Sequence, residues 1–197
     1  ANGAALGLSW DQGNANGVWA DISHHQLKGK NVADNTRSRL MAGYYRRLIN
    51  TPHERLTVGV NTMLWRYQKD LSEYTLGHGG YYSPQQYASL SLPVSYARRT
   101  VNWSYILEGS VSVSASRTGD MSYYPEQGLI ADPWQDLASQ NVSYADFIAG
   151  NSFKGGSSRG VGYSITGLVE RRLNDYWVLG TGLDWRYSED YSPSRAM

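Results

Sequence analysis

The chain has 197 residues, 17 acids against 18 bases, and no cysteine. Near-neutral charge excludes the basic stripe of a general nucleic-acid binder, and the missing thiols exclude a disulfide scaffold or a thiolate metal site. Charged residues make up 18%, below the roughly 25% of soluble domains, and the aromatics are skewed to 16 Tyr and 7 Trp against 2 Phe.

Tyr and Trp carry an apolar body and a polar tip, which suits a boundary between an apolar and a wet phase. No apolar run approaches the ~20 residues of a membrane helix. Ala1–Ser9 lacks a basic region followed by an apolar one, so the chain is expected to begin inside mature structure. The length suits one domain or a large piece of one.

Taken in chain order, the periodicity is two rather than 3.6. Leu6–Trp10, Val18–Leu27 and Arg39–Arg47 alternate weakly. The pattern is clear over 56–64, where Leu56, Val58, Val60, Thr62 and Leu64 share one parity, and over 88–96 with Ala88, Leu90, Leu92, Val94 and Tyr96. It continues over 101–115 from Val101 and Trp103 to Ala115, weakly over Val161–Arg171, and clearly over 177–187 from Trp177 to Tyr187. That predicts about eight strands, several reaching the 9–11 residues of a tilted membrane strand.

Opposite the apolar parity stand Ser, Gly, Thr and Asn. A soluble sandwich would place Lys and Glu there, whereas an outer-membrane barrel turns its apolar face to lipid and its polar face to a lumen. Connections near 11–16, 48–54, 98–100 and 173–176 read as short, and those near 28–36, 69–85 and 117–158 as long. That is the barrel pattern of short periplasmic turns and long outer loops. Arg46-Arg47, Arg98-Arg99 and Arg171-Arg172 mark strand ends as a weak hairpin repeat, and the simplest reading is solvation. In the last long connection, Asp132-Pro133 before Trp134–Leu137 and Ser143 before Tyr144–Ala149 predict two short helices, a folded lid or a protective cap.

Trp103, Tyr105, Trp177 and Trp185 fall near strand ends and are candidate membrane-interface anchors. Trp177 and Trp185 are eight residues apart, roughly 19 Å along the membrane normal at ~45° tilt, against an apolar band ~25 Å tall. Parity assigns Trp19, Asp21, Ser23 and His25 to the lumen side. Asn61, Trp65 and Tyr67, then Ser104, Glu108, Ser110 and Ser112, then Asp184 and Arg186 join them. A single bulge would flip every assignment beyond it.

Catalytic signals are poor: no His-Glu-x-x-His, no Gly-x-Ser-x-Gly and no phosphate loop. Adjacent His24 and His25 point to opposite faces, so no metal site, cofactor or catalytic residue is expected. Two rival readings remain. One is a barrel-borne hydrolase with carboxylates such as Glu108 and Asp184, and the other is a soluble sugar-binding sandwich.

The run Tyr74-Thr75-Leu76-Gly77-His78-Gly79-Gly80-Tyr81-Tyr82-Ser83-Pro84-Gln85-Gln86-Tyr87 resembles the hallmark loop of one family, the C-terminal β-barrel of the outer-membrane subunit of bacterial cellulose synthase. Its flanks, Arg55–Lys69 and Ala88–Asp120, and the stretch Gly182–Tyr191 agree with that resemblance. The resemblance implies a cellulose-exporting porin in the bacterial outer membrane. Its partners would be the cellulose chain, outer-membrane lipid, and the periplasmic and inner-membrane cellulose synthase components. It also implies a tetratricopeptide array ahead of a 16-stranded barrel. Against that pattern, residues 1–197 are expected to be a partial barrel domain without the upstream repeats, the first strands or the closing strand. His78, Tyr81 and Tyr82 are then candidates to line the glucan exit, where sugar rings stack on aromatics.

Overall fold

The computed structural model describes residues 1–11, 13, 15–126 and 152–188. Ten strands form: β1 (Asn2–Asp11), β2 (Asn16–Gly29), β3 (Val32–Asn50), β4 (Glu54–Tyr67), β5 (Gln86–Arg99), β6 (Trp103–Arg117), β7 (Met121–Ser122), β8 (Ser152–Phe153), β9 (Ser157–Arg172) and β10 (Val178–Ser188). Eight of them make one sheet in the order β1-β2-β3-β4-β5-β6-β9-β10, and β7 and β8 pair separately. Every pairing is antiparallel. The fold is all-β. Among the described residues the edge strands β1 and β10 pair with no further strand and not with each other, so the sheet is open there.

Strand register decides which residues share a face, because directly opposed residues point the same way. Leu8 pairs with Ala20, Ala20 with Ala42, Ala42 with Thr62 and Thr62 with Leu90. Leu90 then pairs with Val113 and Val113 with Val161. The same side carries Leu107, Ile165, Leu183 and Trp185 through their own rows. Ladder irregularities occur at Leu27/Gly29 and Arg47/Ile49, both near strand ends. The body of each strand therefore keeps its parity, and the face assignments made from alternation hold along it.

Among the described residues no core packs on the apolar face. Leu6, Leu8, Leu92 and Leu183 are 72%, 73%, 52% and 66% exposed. The buried apolar side chains include Ala33, Tyr67, Leu71 and Pro84, which lie beside the long-loop end of the sheet or within its loop.

Three expectations are corrected. The connection near 28–36 is a two-residue hairpin at Lys30 and Asn31, with Gly29 paired to Val32. Its polar sequence reads as loop, but both strands run on past the apolar rows, and Asn31 takes the turn's positive φ of 59°. Arg46 and Arg47 lie inside β3, which continues to Asn50. Trp177 precedes β10, because its carbonyl closes the turn by accepting from Leu173 N at 2.9 Å. The two helices expected at 134–137 and 144–149 lie outside the described residues.

Two of the short turns share a chemistry that the arginine pairs only flank. Thr51 N donates to Glu54 O at 2.8 Å, and Glu54 N donates to the Thr51 hydroxyl at 3.0 Å. Thr100 and Trp103 repeat this at 2.7 and 3.1 Å. The threonine hydroxyl supplies the acceptor that the tight turn leaves missing.

Candidate functional site, the polar face and its loop

The second face gathers what parity assigned to it. Trp19 and Asp21 of β2, Trp65 and Tyr67 of β4, Glu108 of β6, and Asp184 and Arg186 of β10 all project from it. So do Ser23, His25, Asn61, Ser104, Ser110 and Ser112. Trp103, Tyr105 and Trp185 stand on the apolar side, and Trp177 is 69% exposed in the turn before β10.

The polar face divides in two. From β5 to β9 it is small and internally satisfied. Ser110 and Ser164 hydroxyls bond at 2.8 Å, Ser112 donates to Gly162 O at 3.3 Å, and Ser114 donates to Gly160 O at 3.4 Å. A groove of about 130 Å³ runs there between Tyr87, Ser89, Ser112, Gly162 and Ser188. From β1 to β4 the face is aromatic and charged. Arg39 pairs with Asp21 at 3.1 Å. Near the short turns, Tyr45 reaches across Gly17 of β2 to donate to Asp11 of β1, and Arg47 binds the same carboxylate.

Glu108 and Asp184 share one row, separated by Thr166 of β9. Their backbones are therefore about 10 Å apart, since neighbouring strands are spaced about 4.8 Å. Asp184 is already engaged, accepting from Arg186 at 3.0 Å and from Thr166 at 3.1 Å.

The loop 68–85 folds over the long-loop end of the aromatic half. Trp65 contacts Tyr87 at 4.7 Å and Tyr82 at 6.3 Å between ring centroids, and Tyr67 contacts Tyr81 at 5.8 Å. These separations fall in the range of favourable offset and edge-to-face pairs. Positive φ at Gly77 (93°) and Gly80 (65°) makes the required reversals. Burial pushes the Tyr81 and Tyr82 hydroxyls up from the ordinary phenol range.

His78 is 7% exposed and turns away from these rings. Its Nε2 lies 3.1 Å from Ser122 O, and its ring meets Phe153 edge-on at 5.5 Å, so it sits between this loop and the β7–β8 pair. Thr75 adds a bond to Tyr123 O at 2.6 Å.

Sequence reasoning missed Asn35, Tyr45, Arg39 and Tyr87. Parity could have placed all four on this face. Their contacts are long-range, such as the 3.0 Å bond between Asn35 Nδ2 and the Tyr81 hydroxyl.

Comparison with known proteins follows the same lines. The family described as the C-terminus of cellulose synthase operon protein C matches residues 1–197. The chain is 49% identical over 194 residues to cellulose synthase operon protein C of Escherichia coli K12, covering 98% of the chain and 16% of that protein. It is 48% identical over 197 residues to the protein of that name from Salmonella typhimurium, covering 100% and 16%. It is 33% identical over 198 residues to that from Xanthomonas axonopodis pv. citri, covering 98% and 13%. The chain thus spans a minor part of the length of these relatives.

Proposed function

The chain belongs to the family of cellulose synthase operon protein C C-termini, and from that premise we propose that it forms a section of wall in an outer-membrane channel that passes a nascent cellulose chain from periplasm to cell surface. One observation carries this reading. The apolar face runs across all eight strands of the large sheet, is widely exposed, and among the described residues has no core packed on it. In water such a surface would aggregate; against lipid it is at equilibrium. The open edges β1 and β10 supply pairing positions for further strands of a 16-stranded closed barrel.

The polar face is then the lumen. Its serine half offers hydroxyls already bonded within the wall, which would let a neutral polymer slide. Transport requires binding weak enough to release. The aromatic half and Tyr81 and Tyr82 offer stacking surfaces toward the exit. Trp103, Tyr105, Trp177 and Trp185 anchor the wall at the lipid boundary. The periplasmic and inner-membrane cellulose synthase components would deliver the chain. No catalysis is assigned, a view supported by the commitment of Asp184 to Arg186.

These 197 residues hold no cysteine, so once any cysteine elsewhere in the protein is replaced by serine, single cysteines report on each face. In the intact protein in liposomes, Ser91→Cys and Ser112→Cys should react with a water-soluble maleimide. Leu90→Cys and Val113→Cys should stay unmodified until the lipid is dissolved. A bulky maleimide on Ser112→Cys should slow entry of cello-oligosaccharides. Leu90→Cys and Val113→Cys that stay unmodified after the lipid is dissolved would return the sheet to the soluble-sandwich reading, in which a second protein layer covers that face.

A further inference from the structure

Trp19 is held differently from the other rings of the polar face. It stands opposite Gly43 in the β2–β3 ladder, and its indole lies across the bare backbone there. A Cβ at Gly43 would stand 2.6 Å from Trp19 Cε2 and would overlap Trp19 Nε1 and Asn61 Oδ1. The glycine is thus a notch that the Nε1–Cε2 side of the indole fills. Among the described residues no other ring and no cation stacks on Trp19. Tyr45, by contrast, lies over Gly17 but carries the Arg47 guanidinium 5.1 Å above its ring.

Around this ring stand groups that bind hydroxyls. Asn61 of β4 lies in the same row, paired with Gly43. One row toward the long-loop end, about 6.8 Å along the strand, is Asp21, and Arg39, its ion-pair partner, stands one row further, opposite Ser23. Arg39 spends an Nη on Asp21, and its Nε is buried with no partner among the described residues. A buried donor left unmet costs free energy that an acceptor oxygen would recover.

We propose that Trp19, seated against the bare backbone of Gly43 and flanked by Asn61 and the Asp21–Arg39 pair, is a discrete pyranose-stacking subsite of the polar face, with Gly43 as its positioning residue. A pyranose in the β-linked chair presents axial C–H bonds on its faces and equatorial hydroxyls at its rim. The indole takes the C–H face. Asn61, Asp21 and Arg39 take the rim. On the serine half the Tyr87 ring is already packed against Trp65 at 4.7 Å, so the chain is held on the β2–β4 side. This inference rests on the channel reading and adds to it a specific point of contact.

The test uses the intact protein in planar bilayers with cellopentaose as blocker. Trp19→Ala should shorten blockades roughly tenfold, the size of one lost ring contact, while conductance in plain salt persists. Trp19→Phe should restore much of the dwell time. Gly43→Ala, which lifts the ring, should act like Trp19→Ala, and the double variant should be no worse than either single one. Leu92→Ala on the opposite face should change nothing. If Gly43→Ala does not fold, the Trp19→Ala and Trp19→Phe pair decides alone. Conductance with normal blockades in Trp19→Ala would overturn the subsite and leave the channel standing. A wild-type protein that neither conducts nor is blocked would overturn both.

Discussion

Asn35 is 2% exposed and uses every hydrogen-bonding position its amide offers. Nδ2 donates to Lys69 O at 2.9 Å and to the Tyr81 hydroxyl at 3.0 Å. Oδ1 accepts from Thr36 N at 2.9 Å and Lys69 N at 3.0 Å. One side chain of β3 therefore fixes where β4 ends and where the glycine-rich loop lands. Asn35→Ala leaves two half-buried backbone groups of Lys69 without their partner. The expected cost is about 1–3 kcal/mol, concentrated on the loop rather than the sheet. Hydrogen exchange should rise at Lys69 and over 71–83, with β5 and β6 unchanged. Uniform exchange across the sheet would show that Asn35 serves the strands and not the loop.

At the scale of elements, the neck of the last long connection is a charge-dependent clasp. Gly155 N and Lys154 Nζ both donate to Asp120, at 2.9 and 3.1 Å. Gly156 N donates to the Thr118 hydroxyl at 2.9 Å, and Gly119 N to Gln85 Oε1 at 2.7 Å, which ties the neck to the hallmark loop. The Gly155 amide, then Lys154, holds the Asp120 carboxyl below its ordinary value. A lowered folded pKa means the contribution is complete above the unfolded value near 3.9 and fades as pH falls through the lower folded value. Proteolytic nicking near 118–120 and 154–156 should therefore rise only in strong acid. Asp120→Asn should nick more readily at neutral pH and lose that acid dependence. This clasp is not legible in the sequence, because Asp120 and Gly155 are brought together by the β6–β9 pairing. The eight main strands are legible, because a period of two survives wherever bulges stay at strand ends. The tight turn at Lys30-Asn31 is hidden for a related reason. Strand residues beyond the apolar rows, such as Asp34, Asn35 and Thr36, have no lipid or core to demand alternation.

At the scale of the whole molecule, the decisive property is that one sheet has two surfaces of opposite solvent preference. A soluble sheet protein hides its apolar surface on a second layer. Here the second layer is absent among the described residues, and what covers the polar surface is the protein's own loop 68–85. The arrangement is inside-out relative to a soluble sandwich, and it makes a signed prediction about charge. Leu92 lies near the middle of β5 on the apolar face, paired with Val111. Ser112 lies one residue further along β6 on the other face, paired with Ser91. An arginine at the bilayer midplane costs about 2–4 kcal/mol, whereas lumen positions tolerate charge. Leu92→Arg should therefore lower the unfolding free energy of the intact protein in lipid vesicles by that amount. Ser112→Arg should leave stability nearly unchanged and alter single-channel conductance and ion preference instead. A soluble sandwich would pack the same apolar face on a second layer, so Leu92→Arg would be costly there as well, but its stability would not depend on lipid and Ser112→Arg would have no conductance to alter. Urea titration of Leu92→Arg with and without vesicles, beside single-channel recording of Ser112→Arg, separates these outcomes.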